Sequence, residues 1–93
     1  GTLCVSIVVV EYKQSQKGDN YFVNLQLGHQ STDSKHVDQK LAWNQDLILT
    51  LGSLDDFLVI SLFKYCKYAP NELLGVADLR LDILEYYMNK PID

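Results

Sequence analysis

The sequence predicts an all-β protein, an antiparallel β-sandwich closed by one short helix near the C-terminus. Apolar residues alternate at period two through several short segments, the pattern of strands covered on one face. Polar, turn-forming stretches separate those segments. At 93 residues the chain makes one domain, 1–93, with no room for a second core. Many short strands joined by polar turns argue for a sandwich or barrel over an α/β fold, but alternation alone does not choose among sandwich families.

The first strand is expected near residues 3–10. Leu3, Val5, Ile7 and Val9 alternate with Cys4, Ser6, Val8 and Val10, apolar on both faces, as for a central strand covered on two sides. The polar run Glu11 to Asn20 ends in Gly-Asp-Asn and reads as a loop. A half-buried strand follows near 20–27, with Tyr21, Val23, Leu25 and Leu27 on one face. Gly28 to Lys40 has the least pattern; a short charged edge strand is expected around 35–37. Alternation resumes near 44–51, with Trp43, Leu47, Leu49 and Leu51 inward, and again near 57–63, with Leu58, Ile60 and Leu62 inward. The last strand is expected near 73–81, with Leu79 and Leu81 inward and Gly75 at a bulge or close backbone approach. Asp82 can cap a helix within 82–89, on which Tyr86 and Tyr87 fall, and Pro91 stops it.

Composition limits the function. The apolar fraction is 47% and the charged fraction 22%, ordinary for a folded domain. A net charge of −4 argues against nucleic acid, which needs a basic footprint. Cys4 and Cys66 make no disulfide framework of the secreted kind; a Cys4–Cys66 bridge is the alternative to the expected reading, a reducing, cytoplasmic setting with Cys4 as a small buried hydrophobe. The longest apolar run, Ile7 to Val10, is too short to cross a bilayer, and no signal peptide is visible.

Short motifs in a fixed order narrow the fold further. Gly1-Thr2-Leu3-Cys4-Val5-Ser6-Ile7 resembles the Gly-x-Leu-x-Val-x-Val opening strand of C2 domains. Asp19-Asn20-Tyr21-Phe22-Val23-Asn24-Leu25 is similar to that family's Ser-Asp-Pro-Tyr-Val-x-Leu, and Trp43-Asn44-Gln45-Asp46-Leu47 to its Trp-Asn-Glu-x-Phe. Leu58 to Leu62 resembles the strand before the third calcium loop. Asn71-Glu72-Leu73-Leu74-Gly75 resembles Asp-Asp-x-Ile-Gly, followed by Leu79-Arg80-Leu81 for Ile-x-Leu. Each motif alone is weak; in order they cover nearly the whole chain. The resemblance implies an eight-stranded sandwich, so the last two strands would follow Pro91 and lie beyond Asp93. Because the chain opens on the Leu-x-Val strand, the type II circular order fits better than type I.

The resemblance also implies where calcium would bind, through about five carboxylates on the loops at one end. The matching positions carry Asn20, Lys64, Cys66 and Asn71, and Glu11 is the sole acid between Glu11 and Gly18. A lysine in place of a bidentate aspartate repels the ion. Asp19 and Glu72 remain, too few to rebuild a site. No metal and no cofactor are expected.

Two basic clusters are candidates for partner or lipid contact. The Lys64-Tyr65-Cys66-Lys67-Tyr68 loop interleaves lysine with tyrosine and could set Lys64 and Lys67 on lipid phosphates with Tyr65 and Tyr68 at headgroup level, at ~1 kcal/mol per basic residue. Lys35, His36 and Lys40 form a thinner cluster, diluted by Asp33 and Asp38, and read better as an ordinary solvated edge. His29, Asp33 and His36 lack a cysteine partner and read as surface histidines beside a carboxylate. Ser31 or Ser34 with His36 and Asp38 lacks a nucleophile elbow, no glycine-rich phosphate loop is present, and no enzyme is expected. The sequence therefore predicts a non-catalytic, calcium-independent C2-like module for protein–protein interaction or scaffolding within a larger protein. The alternative is calcium-independent, peripheral phospholipid binding through the Lys64–Tyr68 loop. Homodimerisation through an open sheet edge is a further expectation.

Overall fold

The computed structural model describes residues 1–51 and 57–80. Six strands run in chain order: β1 (Thr2–Val9), β2 (Tyr21–Leu27), β3 (Gln30–Asp33), β4 (Ala42–Thr50), β5 (Phe57–Lys64) and β6 (Glu72–Arg80). They form a two-stranded sheet, β1–β4, and a four-stranded sheet in the order β3–β2–β5–β6. Every pairing is antiparallel. All five predicted main strands are present, with ends displaced by one or two residues. Leu81 and the helix expected within 82–89 lie outside the described residues.

Two elements depart from the sequence expectation. The edge strand expected around 35–37 is instead β3, residues 30–33; Val37 makes only an isolated bridge to Tyr21. The cause is Gly28, whose φ of +58° turns the chain directly after Leu27, so Gln30 pairs with Leu27 at once. Glycine at the first central position is what a two-residue type II′ hairpin demands. The second departure is β1. Among the described residues it pairs with β4 alone, and its Cys4–Ser6–Val8 face is exposed. Cys4 is therefore an exposed free thiol, not a buried hydrophobe, and its cross-strand partner Ile48 is 68% exposed. The central strand is β2, with neighbours on both sides.

The core lies between the two sheets. Leu3, Ile7, Val23, Leu25, Trp43, Leu47, Leu49 and Leu58 are buried, as their alternation predicts, and Val5, Ile60 and Leu62 pack half-buried against them. Tyr21, Leu27 and Leu41 join this cluster. Leu79 does not: it is 38% exposed, on a strand whose described neighbour is β5 alone.

Two irregularities shape the site end. Between Ile7 and Val9, β4 uses an extra residue at Trp43–Asn44, with Asn44 at φ +47°. Asparagine tolerates this left-handed region better than most residues, which accounts for its place after Trp43. Opposite Leu62 and Phe63, β6 skips from Gly75 to Leu73. The bulge expected at Gly75 is thus present, whereas nothing approaches the position its Cβ would take.

Candidate functional site

The start of β2 and the β5–β6 loop meet at one end of the four-stranded sheet. Tyr21 pairs with Lys64, and Lys64 in turn pairs with Glu72. The Tyr65 N–H donates to the Asn20 carbonyl at 2.8 Å, tying the loop before β2 to the end of β5. The Cys66 N–H donates to Asn71 Oδ1 at 3.0 Å across the β5–β6 loop. Asn20, Lys64, Cys66 and Asn71, separated by up to more than half the chain, therefore belong to one loop cluster.

Lys64 is the charged centre of that cluster. Its Nζ lies 3.5 Å from Asp19 Oδ2, with the two side chains 33% and 28% exposed. The Asp19 carboxylate holds the ammonium above its ordinary pKa against the opposing effect of burial, and Glu72 adds in the same direction. An exposed pair contributes little stability, so the consequence is positional: a fixed cation sits among the acids of this end. Asp19, Tyr21, Lys64 and Glu72 line a small cleft of 180 Å³ together with Tyr12 and Gln16.

The other side of the same end is aromatic. Strand parity points Phe22 and Phe63 away from the core, side by side as cross-strand partners. Their rings stack at 5.3 Å and 12°, and His36 stacks on Phe22 at 4.9 Å and 17°. Tyr65 leans on His36 at 5.0 Å. Although outward-facing, Phe22 is only 6% exposed. The position of His36 has a backbone cause. Ser34 N–H donates to the Val23 carbonyl, the Val23 N–H donates to Ser34 Oγ, and Val37 exchanges two hydrogen bonds with Tyr21. Residues 34–37 are thus clamped on both sides of Phe22, with His36 over its ring. Trp43 Nε1–H donates to the Lys35 carbonyl and Lys35 N–H donates to Gln45 Oε1, fixing the segment to β4.

The two basic clusters read from sequence are therefore regrouped. His36 and Tyr65, one from each, share a single aromatic row. Lys40 sits apart, in a turn where its N–H donates to Asp38 Oδ1 and Leu41 N–H to the Asp38 carbonyl. Lys64 is engaged by Asp19, whereas Lys67 lies over the ring of Tyr68, 5.4 Å from its centre, and Tyr68 is 91% exposed. His29 is in the β2–β3 turn, at the opposite end of β2 from His36, so His29, Asp33 and His36 do not converge. Ser34 is buried, with its Oγ donating to the Lys35 carbonyl and accepting from Val23. The row escaped sequence reading because period two assigns Phe22 and Phe63 to solvent; an aromatic at two such outward positions was the available signal.

No family model matches the chain, and no curated protein matches it. Among solved structures it is similar to the crystal structure of a RIM C2 domain from Drosophila, at 19% sequence identity and a TM-score of 0.68. The match covers 87% of this chain and 75% of that one. The chain therefore has the C2 fold.

Proposed function

We propose that this chain is a non-catalytic, calcium-independent C2-like module that mediates protein–protein interaction or scaffolding within a larger, cytoplasmic protein. The supporting observation is the Lys64–Asp19 ion pair. An ammonium held among Asp19 and Glu72 supplies the positive charge that a metal would bring and opposes the approach of a hard dication, which needs six to eight oxygen ligands. Asn71 Oδ1 accepts from Cys66 instead. What remains for function at this end is surface: the aromatic row and the Tyr65–Tyr68 loop.

A second reading, peripheral attachment to anionic phospholipid, is favoured by Tyr68, which projects from the loop beside Lys67. Liposome sedimentation separates the two. The interaction-module reading expects no pelleting with neutral or anionic vesicles at physiological salt, with or without calcium, because a net charge of −4 opposes an anionic surface. The lipid reading expects salt-sensitive pelleting with anionic vesicles, abolished in the Lys64→Glu, Lys67→Glu double variant.

A further inference from the structure

We propose that the outer face of the four-stranded sheet, at its Tyr65 corner, docks an acidic peptide segment carrying an aromatic side chain. The inference rests on the interaction-module reading and names its partner. A transverse row crosses this corner: Leu73 of β6 pairs with Phe63, Phe63 with Phe22, and His36 covers Phe22. Leu73 and the neighbouring Val76 are more than half exposed, which extends the apolar strip to the β6 edge. Exposed apolar area next to stacked, partly open rings suits an aromatic anchor, the residue type that dominates binding energy at interfaces.

Charge selects an acidic partner. Lys35 adjoins His36, Lys67 follows Tyr65, and among the described residues neither lysine has an acidic partner. Parity sends Glu72 to the opposite side, toward Lys64 and Asp19. The outward carboxylate of Asp33 lies one row away and accepts from Asn24 Nδ2 at 2.8 Å. Two lysines without acidic partners, next to His36 and close to Tyr65 in the chain, make this corner complementary to carboxylates on either side of a ring. A bilayer is the poorer fit. It would meet the loop end as a charged plane, Asp19 and Glu72 included, and would leave the row along the sheet face uncovered.

The test is an amide NMR titration of the ¹⁵N-labelled 93-residue chain at physiological salt. The probe is the peptide Glu-Glu-Trp-Glu-Leu-Glu, with two controls: every Glu changed to Lys, and Trp changed to Ser. The acidic Trp peptide is expected to shift Phe22, Phe63, Tyr65 and Leu73 while both controls leave them in place. Lys67→Glu should weaken binding roughly fivefold, the effect of reversing one exposed charge contact, and His36→Ala should weaken it too. Lys40→Glu, in its separate turn, should leave it unchanged. Equal shifts from the lysine peptide, shifts confined to β1 and β4, or no shift at about 1 mM peptide, a level that tests even weak binding, would overturn the proposal. So would vesicles containing phosphatidylserine that shift these amides when the peptide does not. Adding millimolar calcium at the end keeps the two readings apart. Movement of Asn20 and residues 64–71 defeats the calcium-independent module itself, whereas a silent calcium step after a silent peptide defeats only the docking surface.

Discussion

In the proposed reading Lys64 decides what the loop end can bind, and its charge state is the first thing to check. Because Asp19 raises its pKa, the Lys64 ammonium stays charged below the ordinary 10.5, and at the alkaline end the pair is lost only as pH climbs through the raised value. A side-chain NMR titration of Lys64 should thus have its midpoint above 10.5; a midpoint at or below it would show that Asp19 does not engage the ammonium. The same residue predicts a gain of function. Lys64→Asp places a third carboxylate beside Asp19 and Glu72, and calcium should then bind weakly, in the range of ~0.1–1 mM. Lys64→Met, which removes the charge without adding oxygen, should bind none. Calcium shifts in the Met variant, or none in the Asp variant, would mean that charge at position 64 is not what governs the site. The identity of Lys64 was legible in the sequence once Leu58, Ile60 and Leu62 set the strand parity. Its partner was not, since Asp19 lies 45 positions away and only the β2–β5 pairing joins them.

At the level of elements, β2 with the segment clamped to it carries the site. Ser34→Ala removes the acceptor of the buried Val23 N–H, which should cost about 1–3 kcal/mol. It should also release His36 from Phe22. Urea denaturation reads the first effect and the ring-current shift of His36 reads the second. A destabilised variant with an unmoved His36 resonance would show that Ser34 does not position the ring. On β4, Asn44→Val forces a β-branched side chain to φ +47° and should cost about 1–2 kcal/mol, whereas Asn44→Gly should be nearly neutral. Equal stability of the Val and Gly variants would remove the bulge from the account. Period-two alternation located five strands because one face of each meets the core. It failed at β3, Gln30-Ser-Thr-Asp, because a four-residue polar edge strand carries no apolar period. It also misjudged β1, where an apolar outer face was read as cover on both sides. Nothing in the residues of β1 reports how many strands lie beside it.

Across the whole molecule, a two-stranded sheet faces a four-stranded one, so the described residues cover only part of the inner face. Ile60 and Leu62 are half-buried, Ala77 and Leu79 are exposed, and an open groove of 310 Å³ runs over β5 and β6 beside Val10 and Tyr12. The far edge of β4 is guarded by Gln30, whose side-chain amide exchanges two hydrogen bonds with the backbone of Thr50. Among the described residues β1 has no second neighbour, and an unpaired edge beside an apolar groove favours strand addition. An edge left open in the whole chain would make it self-associate or melt with poor cooperativity. A monodisperse 10.6 kDa species in sedimentation equilibrium that melts in one sharp transition would contradict this. The central claim, that the loop end works without calcium, has a more direct test in calcium titration of the wild-type chain followed by amide NMR. Asn20, Lys64, Cys66 and Asn71 are expected to keep their shifts up to millimolar calcium. Saturable movement of those four amides at micromolar calcium would contradict it.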